Sequence, residues 1–166
     1  MSTYSSTIDT QVGPFTMIVD DDGAVLASGW TDRIDALLPQ VHPSLRTEPE
    51  PKADLGPATR AAIAYHQGDL AAPDVIPVRQ ESSGAFLPGA WKTLRQVGPG
   101  ELVTYTELAA RTGNPAAVRA AAQACARNAA ALFVPCHRVI RTDGTLGGFR
   151  WGLDVKRFLV AHEGRD

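Results

Sequence analysis

The glycine-asparagine-proline break at residues 113–115 constrains the fold of the C-terminal half more than any other feature of the sequence. Glycine and proline end one helix here, and Pro115 suits the first turn of the next, which is predicted to run to about Arg127. The preceding segment, residues 105–111, has Thr104 in place to cap its amino end. Two short helices joined by a turn that contains glycine form the helix-turn-helix pattern.

The second of these helices is rich in alanine, with seven alanines between residues 116 and 126. A stretch of this kind commonly packs closely inside a protein core, and the sequence leaves that interpretation open. Small side chains also permit close approach to a nucleic-acid backbone, and Arg119 and Arg127 add positive charge. We therefore favour DNA as the partner of this helix.

The rest of the C-terminal half predicts a winged form of the motif. An Asp143-Gly144 turn between two β-prone runs indicates a hairpin, which would be the wing. Asp154 is placed to cap a last amphipathic helix whose Phe158 and Leu159 face the core. The predicted elements are a helix at 90–97 closed by a Gly-Pro-Gly turn, strands at 138–140 and 145–149, and a helix at 155–162.

The N-terminal half is predicted to form a small antiparallel sheet with helices. Its β-prone runs, at residues 5–9, 15–19 and 25–29, are separated by sequences that suit turns. We expect helices at 32–38 and 56–66, a further strand at 75–78 and a loop at 42–54. The small polar residues at 81–84 mark a boundary between two domains, 1–83 and 84–166. The predicted fold class is α+β.

Composition and charge narrow the class of protein. The 166 residues are 44% apolar, enough for a core, and contain neither a membrane-spanning stretch nor a secretion signal. We therefore expect a cytoplasmic protein without a membrane partner. Residues 1–83 carry twelve acidic and five basic side chains, a net charge of −7, whereas residues 84–166 carry six acidic and eleven basic, a net charge of +5. A basic half attracts nucleic acid, although a solvated face would have the same charge.

Cys136 is followed directly by His137 and Arg138. The thiolate is the nucleophilic form of cysteine, and neighbouring cations favour it. A buried cysteine is more often a small apolar side chain, and adjacency does not establish a hydrogen bond. Cys125 could in principle pair with Cys136, but nothing else indicates a disulfide framework, so both are expected to be reduced. The histidines are scattered and Cys-x-x-Cys spacing is absent, so we predict no metal and no cofactor.

Four separated motifs resemble those of the O6-alkylguanine-DNA alkyltransferases. They occur in that family's order and spacing across residues 86–164. The motifs are Gly-Glu-Leu-Val-Thr-Tyr at 100–105, Gly-Asn-Pro at 113–115, Pro-Cys-His-Arg-Val-Ile at 135–140 and Ala-His-Glu-Gly at 161–164. The N-terminal half is similar only in outline to the family's ribonuclease-H-like domain. The resemblance implies that domain followed by a winged helix-turn-helix domain.

The resemblance also implies repair of DNA by direct reversal. In the family a thiolate attacks the alkyl carbon on O6 of guanine, or on O4 of thymine, and the stable thioether consumes the protein. Cys136 is the implied acceptor, His137 its base acting through a water, and Glu163 the group that orients His137, as in a nucleophile-base-orienter triad. Asn128 matches the asparagine that braces the turn carrying the cysteine.

Chemistry on O6 requires the nucleotide to be flipped out of the duplex. By resemblance Tyr105 pushes on the target phosphate, Arg119 fills the vacated space, and Ala120 and Ala121 lie against the minor groove. The implied partner is double-stranded DNA that contains O6-alkylguanine, bound with little sequence dependence because the minor-groove code is degenerate. We expect a monomer and leave cooperative binding along DNA open.

The resemblance assigns the alkylguanine pocket to Val139, Phe149, Arg150 and Trp151. The backbone carbonyls of Cys136 and Val139 are implied to accept from the exocyclic amine of guanine. Phe149 stands where many members have tyrosine, so a hydroxyl donor is lost. Trp151 stands where several members have glycine, and Phe-Arg-Trp-Gly at 149–152 is similar to the bacterial Ada protein. The bulky indole predicts a pocket that favours methyl over benzyl adducts.

Two alternatives come from other functional classes. A non-catalytic alkyltransferase-like protein would bind and flag damaged DNA, but such proteins lack the acceptor cysteine, which is present here with His137 and Glu163. A cysteine hydrolase would need an oxyanion site, which the sequence does not identify. The amino-terminal cysteine cluster of full-length Ada does not precede residues 1–4, so transcriptional activation is not expected.

Overall fold

The computed structural model describes residues 1–164 and divides the chain into two compact units. The N-terminal unit consists of Met1–Gln80 together with Ala129–Phe133, and the C-terminal unit consists of Glu81–Asn128 together with the chain from Val134 onward. The sequence predicted one uninterrupted division after residue 83, and the structure differs because a short segment returns. Ser28 donates from its backbone N to Ala129 O (2.8 Å) and from Oγ to Ala131 O (2.7 Å), which binds this segment to the N-terminal unit.

A four-stranded sheet forms the frame of the N-terminal unit. Its strands are β1 (Thr3–Thr10), β2 (Gly13–Asp20), β3 (Val25–Gly29) and β4 (Glu50–Pro51). Their spatial order is β3-β2-β1-β4; the first three are antiparallel neighbours, as predicted, and β4 lies parallel to β1. β4 falls in the segment that was expected to be a loop, since a two-residue strand leaves no alternating pattern.

Two helices and two 3-10 turns accompany this sheet. Helix α1 (Ile34–Leu37) is shorter than predicted and continues as a 3-10 turn. Helix α2 (Pro57–His66) begins one residue later than predicted and ends at the predicted residue. The strand predicted at 75–78 was wrong, because Ala72–Val75 form a 3-10 turn and only Val78 bridges to Val25.

An aromatic cluster fills the N-terminal core. The rings of Phe15 and Trp30 lie 4.8 Å apart, and Phe133 from the returning segment lies 6.4 Å from Phe15. Trp30 Nε1 donates to His66 Nε2 (3.3 Å), so neutral His66 carries its proton on Nδ1, which lies 2.7 Å from Ala62 O. Both ring nitrogens of this buried histidine are thereby paired.

The C-terminal unit is mainly helical. Its helices are α3 (Phe86–Leu94), α4 (Tyr105–Arg111), α5 (Val118–Ala126) and α6 (Leu153–His162). The predicted cap of α4 is confirmed: Glu107 N donates to Thr104 Oγ1 (3.0 Å), and Thr104 N donates to Glu107 Oε1 (3.1 Å). α5 begins three residues later than predicted, because Ala117 N donates to Asn114 O (3.0 Å) and closes a turn first.

The predicted hairpin wing was wrong. β6 (Val139–Ile140) pairs in parallel with β5 (Val103–Thr104), and residues 145–149 form no strand. The Asp143-Gly144 turn does form, but the carbonyls that follow it point to a buried side chain instead of a partner strand, as described below. α6 also begins earlier than predicted, at Leu153 after Gly152, so that Asp154 lies in its first turn and does not cap it. Within residues 1–164 no helix is long and apolar enough to cross a membrane.

Candidate active site

Cys136 opens a tight 3-10 turn, Cys136–Arg138, in the C-terminal unit, and is only 8% exposed. Its backbone N donates to Val134 O (2.8 Å), and the side-chain amide of Asn128 donates to the same carbonyl (2.8 Å). Asn128 is itself buried, so this contact fixes the chain immediately before the cysteine. The arrangement places Asn128 where a brace for the turn is needed.

The environment of Cys136 opposes and favours its ionisation at the same time. Burial raises the pKa of the thiol. A hydrogen bond from Asn128 and the positive charges of Lys156 and Arg150 act in the opposite direction and favour the thiolate. The thiol is therefore set among groups that stabilise its anion, and those groups come from three separate parts of the C-terminal unit.

His137 contacts Glu163 at the carboxyl end of α6. Its Nε2 lies 2.8 Å from Glu163 Oε2, and both side chains are buried. A carboxylate can only accept, so Nε2 carries the proton and Nδ1 of the neutral ring is an acceptor. Within residues 1–164 this buried Nδ1 has no hydrogen-bond partner. The ring is thus oriented by one nitrogen and open for proton transfer at the other.

Arg138 has a different place from the one its sequence position suggested. We expected its guanidinium to favour the thiolate, but Nε and Nη2 donate to Glu163 Oε1 (2.8 Å) and Oε2 (3.0 Å). Nη1 donates to Val97 O (2.6 Å), and the side chain is only 3% exposed. Arg138 therefore holds the carboxylate that orients His137. The sequence gives no sign of this pairing, because Arg138 and Glu163 lie 25 positions apart.

These contacts determine the protonation states of Glu163 and His137. Burial alone would raise the pKa of Glu163, but its hydrogen bonds with His137 and Arg138 hold that pKa well below its usual range. Burial lowers the pKa of His137, and the contact with Glu163 only partly compensates. The combination is an ionised carboxylate beside a neutral imidazole, which is the state in which a histidine can act as a base.

Lys156 is a buried residue of this site that the sequence reasoning missed. Its side chain is fully buried on α6, and Nζ donates to the carbonyls of Val139 (2.8 Å), Leu146 (2.5 Å) and Gly148 (3.3 Å). These bonds use the carbonyls that a hairpin would have needed. The signal was available, because Lys156, Leu159, Val160 and Glu163 lie on one helical face, at i, i+3, i+4 and i+7.

Tyr105, at the start of α4, lies against the loop at residues 146–148. Gly147 has a φ of +77°, and a Cβ built there would lie 3.2 Å from Tyr105 Oη. Glycine is therefore needed both for the backbone conformation and for the close approach of the tyrosine. Burial raises the pKa of Tyr105 to about 12, so the hydroxyl remains protonated and can donate.

The expected DNA-contacting residues of α5 do not share one face. Arg119 is exposed and Ala120 is half-buried, but Ala121 is fully buried inside the protein. The expectation that Ala121 lies against a DNA groove is therefore corrected, because α5 packs this side against its own unit. The alternative use of alanine, close packing in a core, applies to Ala121 and also to Ala124.

The four expected pocket residues differ in their surroundings. Val139 is fully buried, whereas Phe149 and Trp151 are half-buried. Arg150 is exposed, and its Nη2 donates to Ala126 O (2.9 Å) at the carboxyl end of α5. Arg150 therefore connects the pocket segment to this helix. The Val139 carbonyl, expected to accept from guanine, already accepts from Lys156 and retains its second lone pair.

The chain is similar in sequence and in fold to proteins of one known family. Residues 85–165 match the family model described as 6-O-methylguanine DNA methyltransferase, DNA binding domain. A methylated-DNA--protein-cysteine methyltransferase of Methanosarcina acetivorans is 32% identical over 161 residues, covering 97% of this chain and 98% of that protein. The crystal structure of Mycobacterium tuberculosis OGT in complex with DNA has a TM-score of 0.78 at 28% identity, with 96% of this chain and 92% of that chain covered.

The regulatory protein Ada of Salmonella typhimurium is 35% identical over 151 residues, which cover 89% of this chain. The chain spans only 42% of the length of that relative. The Methanosarcina protein, by contrast, matches this chain along almost its whole length, so the family assignment does not rest on the Ada relative. On these matches, the chain belongs to the methylated-DNA--protein-cysteine methyltransferase family.

Proposed function

We propose that this protein repairs O6-methylguanine in DNA by irreversible transfer of the methyl group to Cys136. The observation that carries the proposal is the buried His137–Glu163 hydrogen bond of 2.8 Å, in the chain turn that begins with the cysteine. This hydrogen bond leaves Nδ1 of the neutral His137 ring as the proton acceptor. The relatives of this chain are named for methyl transfer to cysteine, a reaction that needs such an acceptor.

The proposed reaction is one displacement at carbon. The Cys136 proton passes through a water to His137 Nδ1, and the sulfur attacks the methyl carbon opposite the guanine oxygen. The S–C bond forms as the C–O bond breaks, and the electron pair of that bond remains on guanine. Guanine regains a proton at N1 from solvent and His137 releases the one that it took up, so the net change exchanges hydrogen for methyl on sulfur. The thioether is stable, and each protein reacts once.

The partner in this proposal is double-stranded DNA with the damaged nucleotide flipped into the C-terminal unit. The exposed Arg119 on α5 and the protonated Tyr105 hydroxyl are the proposed flipping residues. Support comes from the family match over residues 85–165 and from the Mycobacterium tuberculosis relative, whose structure contains DNA. Binding as a monomer and action in the cytoplasm are further parts of the proposal.

The proposal is tested by following an oligonucleotide that contains one O6-methylguanine. With the lesion in excess, the amount of guanine restored is expected to equal the amount of protein and then to stop. Continued turnover would indicate a different reaction, and binding without restoration would indicate a damage-binding protein. Cys125→Ala is a matched control, because it removes the other cysteine and is expected to leave the amplitude unchanged.

Loss of Arg119 is expected to separate DNA binding from chemistry. Arg119→Ala should weaken binding to damaged duplex by about tenfold or more, because an exposed cation that supports the flipped state is removed. Reaction with a free alkylguanine base should be unaffected. Fluorescence titration and single-turnover rates measure the two quantities, with Arg157→Ala as an exposed control in the same unit. Equal losses with DNA and free base would contradict the assignment.

The transfer rate is expected to report the low pKa of His137. Burial lowers that pKa from the ordinary 6.5, so the basic form is already the major one at pH 6.5 and most of the activity is lost only as pH falls further. Single-turnover rates across acidic and neutral pH locate the acid limb. A limb with its midpoint above 6.5 would show that His137 is not the lowered-pKa base.

Trp151 is expected to restrict the size of the adduct. Its half-buried indole lies in the segment proposed to line the pocket, so Trp151→Gly should increase the rate on benzyl relative to methyl adducts. The ratio of single-turnover rates on the two adducts measures the effect and is insensitive to the fraction of active protein. An unchanged ratio would exclude the indole as the restricting group.

A further inference from the structure

Arg141 is an exposed arginine at the edge of the site and takes no part in the proposed transfer. Its backbone is held in the turn after β6, because Arg141 N donates to Thr145 O (2.9 Å) and Arg141 O accepts from Gly144 N (2.9 Å). The hydroxyl oxygen of Thr142, the next residue, lies 3.2 Å from that of Thr106 in the first turn of α4. The turn therefore presents the Arg141 side chain from a fixed position beside α4.

The side chains of Arg141 and Tyr105 meet at Gly147. A Cβ built on this glycine would lie 3.5 Å from Arg141 Cγ and 3.2 Å from Tyr105 Oη. Because position 147 has no side chain, the space next to both groups stays open. The two groups also interact electrostatically: burial raises the pKa of Tyr105, and the positive charge of Arg141 acts against that rise.

Neither of these two groups has a partner in the protein. Among residues 1–164 the Arg141 guanidinium and the Tyr105 hydroxyl form no hydrogen bond and no ion pair. The nearest acid along the chain, Asp143, is turned to Thr145, whose N (3.0 Å) and Oγ1 (2.7 Å) both donate to Asp143 Oδ1. Several other guanidinium groups of the C-terminal unit already have acceptors, on Arg111, Arg138, Arg150 and Arg157.

A cation and a neutral hydroxyl that converge without a protein acceptor suit an anion with more than one oxygen. The Arg141 guanidinium offers paired N–H donors in the geometry that matches a phosphate group. The Tyr105 hydroxyl stays protonated and can donate to the same group. The anion that this basic half of the chain is expected to meet is the phosphodiester backbone of DNA.

We propose that Arg141 and Tyr105 together bind one phosphodiester group of the damaged strand next to the flipped nucleotide, with Arg141 supplying the charge and Tyr105 the neutral donor. The inference rests on the proposed function, since it takes damaged DNA as the partner. It assigns flipping a second cation on a different element. Arg119 on α5 fills the vacated space in the stack, and Arg141 holds the displaced backbone.

A binding cycle between the protein and a neutral backbone linkage tests the contact. A methylphosphonate, which removes the charge of one phosphate, is placed in turn on the 5′ side of O6-methylguanine, on its 3′ side and several nucleotides away. Fluorescence anisotropy measures the affinity, with Cys136→Ala present in every protein so that no methyl transfer is needed. Arg141→Met and one of the two adjacent methylphosphonates should each weaken binding about tenfold, and the two changes together should weaken it little more than either alone.

Further variants complete the cycle. Tyr105→Phe is expected to couple to the same linkage, and Arg141→Lys should keep most of the affinity and the sensitivity to that linkage. Arg141→Gln replaces the methionine variant if that variant does not fold. Arg157→Met, which removes an exposed arginine paired with Asp154, is the matched control and should act independently of every linkage.

Losses that multiply at both adjacent linkages would overturn the proposal, and so would coupling of Arg141 only to the remote linkage. Coupling of Tyr105 without coupling of Arg141 would overturn it as well. The cycle measures binding alone, so failure of the wild-type protein to transfer the methyl group would refute the proposed function without changing this result.

Discussion

Glu163→Gln is expected to slow alkyl transfer about 100-fold or more, although the side chain never touches the substrate. Glu163 accepts from His137 on one side and from Arg138 on the other. Glutamine has one acceptor oxygen and one amide donor, so one of these donors must face an N–H group. If the amide faces His137, the ring must move its proton to Nδ1, and the base is lost.

Single-turnover rates measure this effect, and DNA affinity measured beside them shows whether the fold is intact. Glu101→Gln is the matched control, because Glu101 forms an exposed ion pair with Arg111 (2.8 Å) that no proposed step uses. Equal effects of the two substitutions would contradict the role of Glu163. A rate unchanged in Glu163→Gln would show that His137 needs no carboxylate to orient it.

Arg138→Met is expected to lower the free energy of unfolding by about 3–5 kcal/mol, the largest stability effect that we anticipate for one side chain. The change leaves the Glu163 carboxylate buried with its main cationic partner removed, and Val97 O loses a donor. Urea unfolding measures the loss. Arg111→Met, which breaks the exposed pair with Glu101, should cost less than about 1 kcal/mol.

A double substitution shows whether the loss comes from the ion pair. Adding Glu163→Gln to Arg138→Met should recover part of the stability, because no unpaired charge then remains buried. Additive losses would contradict this explanation.

Glu163 and His137 also predict that the stability of the protein depends on pH. The pKa of Glu163 is lower in the folded protein than its ordinary 4.5, so the stabilisation is complete above 4.5 and is lost as pH falls below it. The lowered pKa of His137 acts in the same direction below 6.5, since the unfolded chain takes up the proton more readily. Arg138→Met should weaken the carboxylate part of this acid dependence.

Local signals in the sequence predicted the elements that local interactions determine. Thr104 and Glu107 lie three residues apart and form the predicted cap, and the β-prone runs of the N-terminal half form the first three strands. The hairpin at residues 138–149 failed for a non-local reason. Its turn forms as the local sequence demands, but Lys156, in a later helix, takes the carbonyls of the second strand.

The candidate site also contains residues whose positions the local sequence predicts and residues whose contacts it does not. The position of Cys136 and His137 follows from their adjacency, whereas the contact of Arg138 with Glu163 depends on the packing of α6 and has no local signature. Lys156 could have been found, because it lies on the same helical face as Leu159, Val160 and the predicted site residue Glu163. Ala121 could not be placed from composition alone, since alanine is equally suited to a core and to a surface that approaches DNA closely.

Intact-mass spectrometry tests most directly whether Cys136 accepts the alkyl group. After incubation with duplex DNA that contains O6-methylguanine, the protein is expected to gain one methyl group per chain, located on Cys136 by peptide mapping. The Cys136→Ala variant should bind the same DNA without any gain. An unmodified Cys136 at saturating DNA, or a methyl group found on Cys125 instead, would contradict the account.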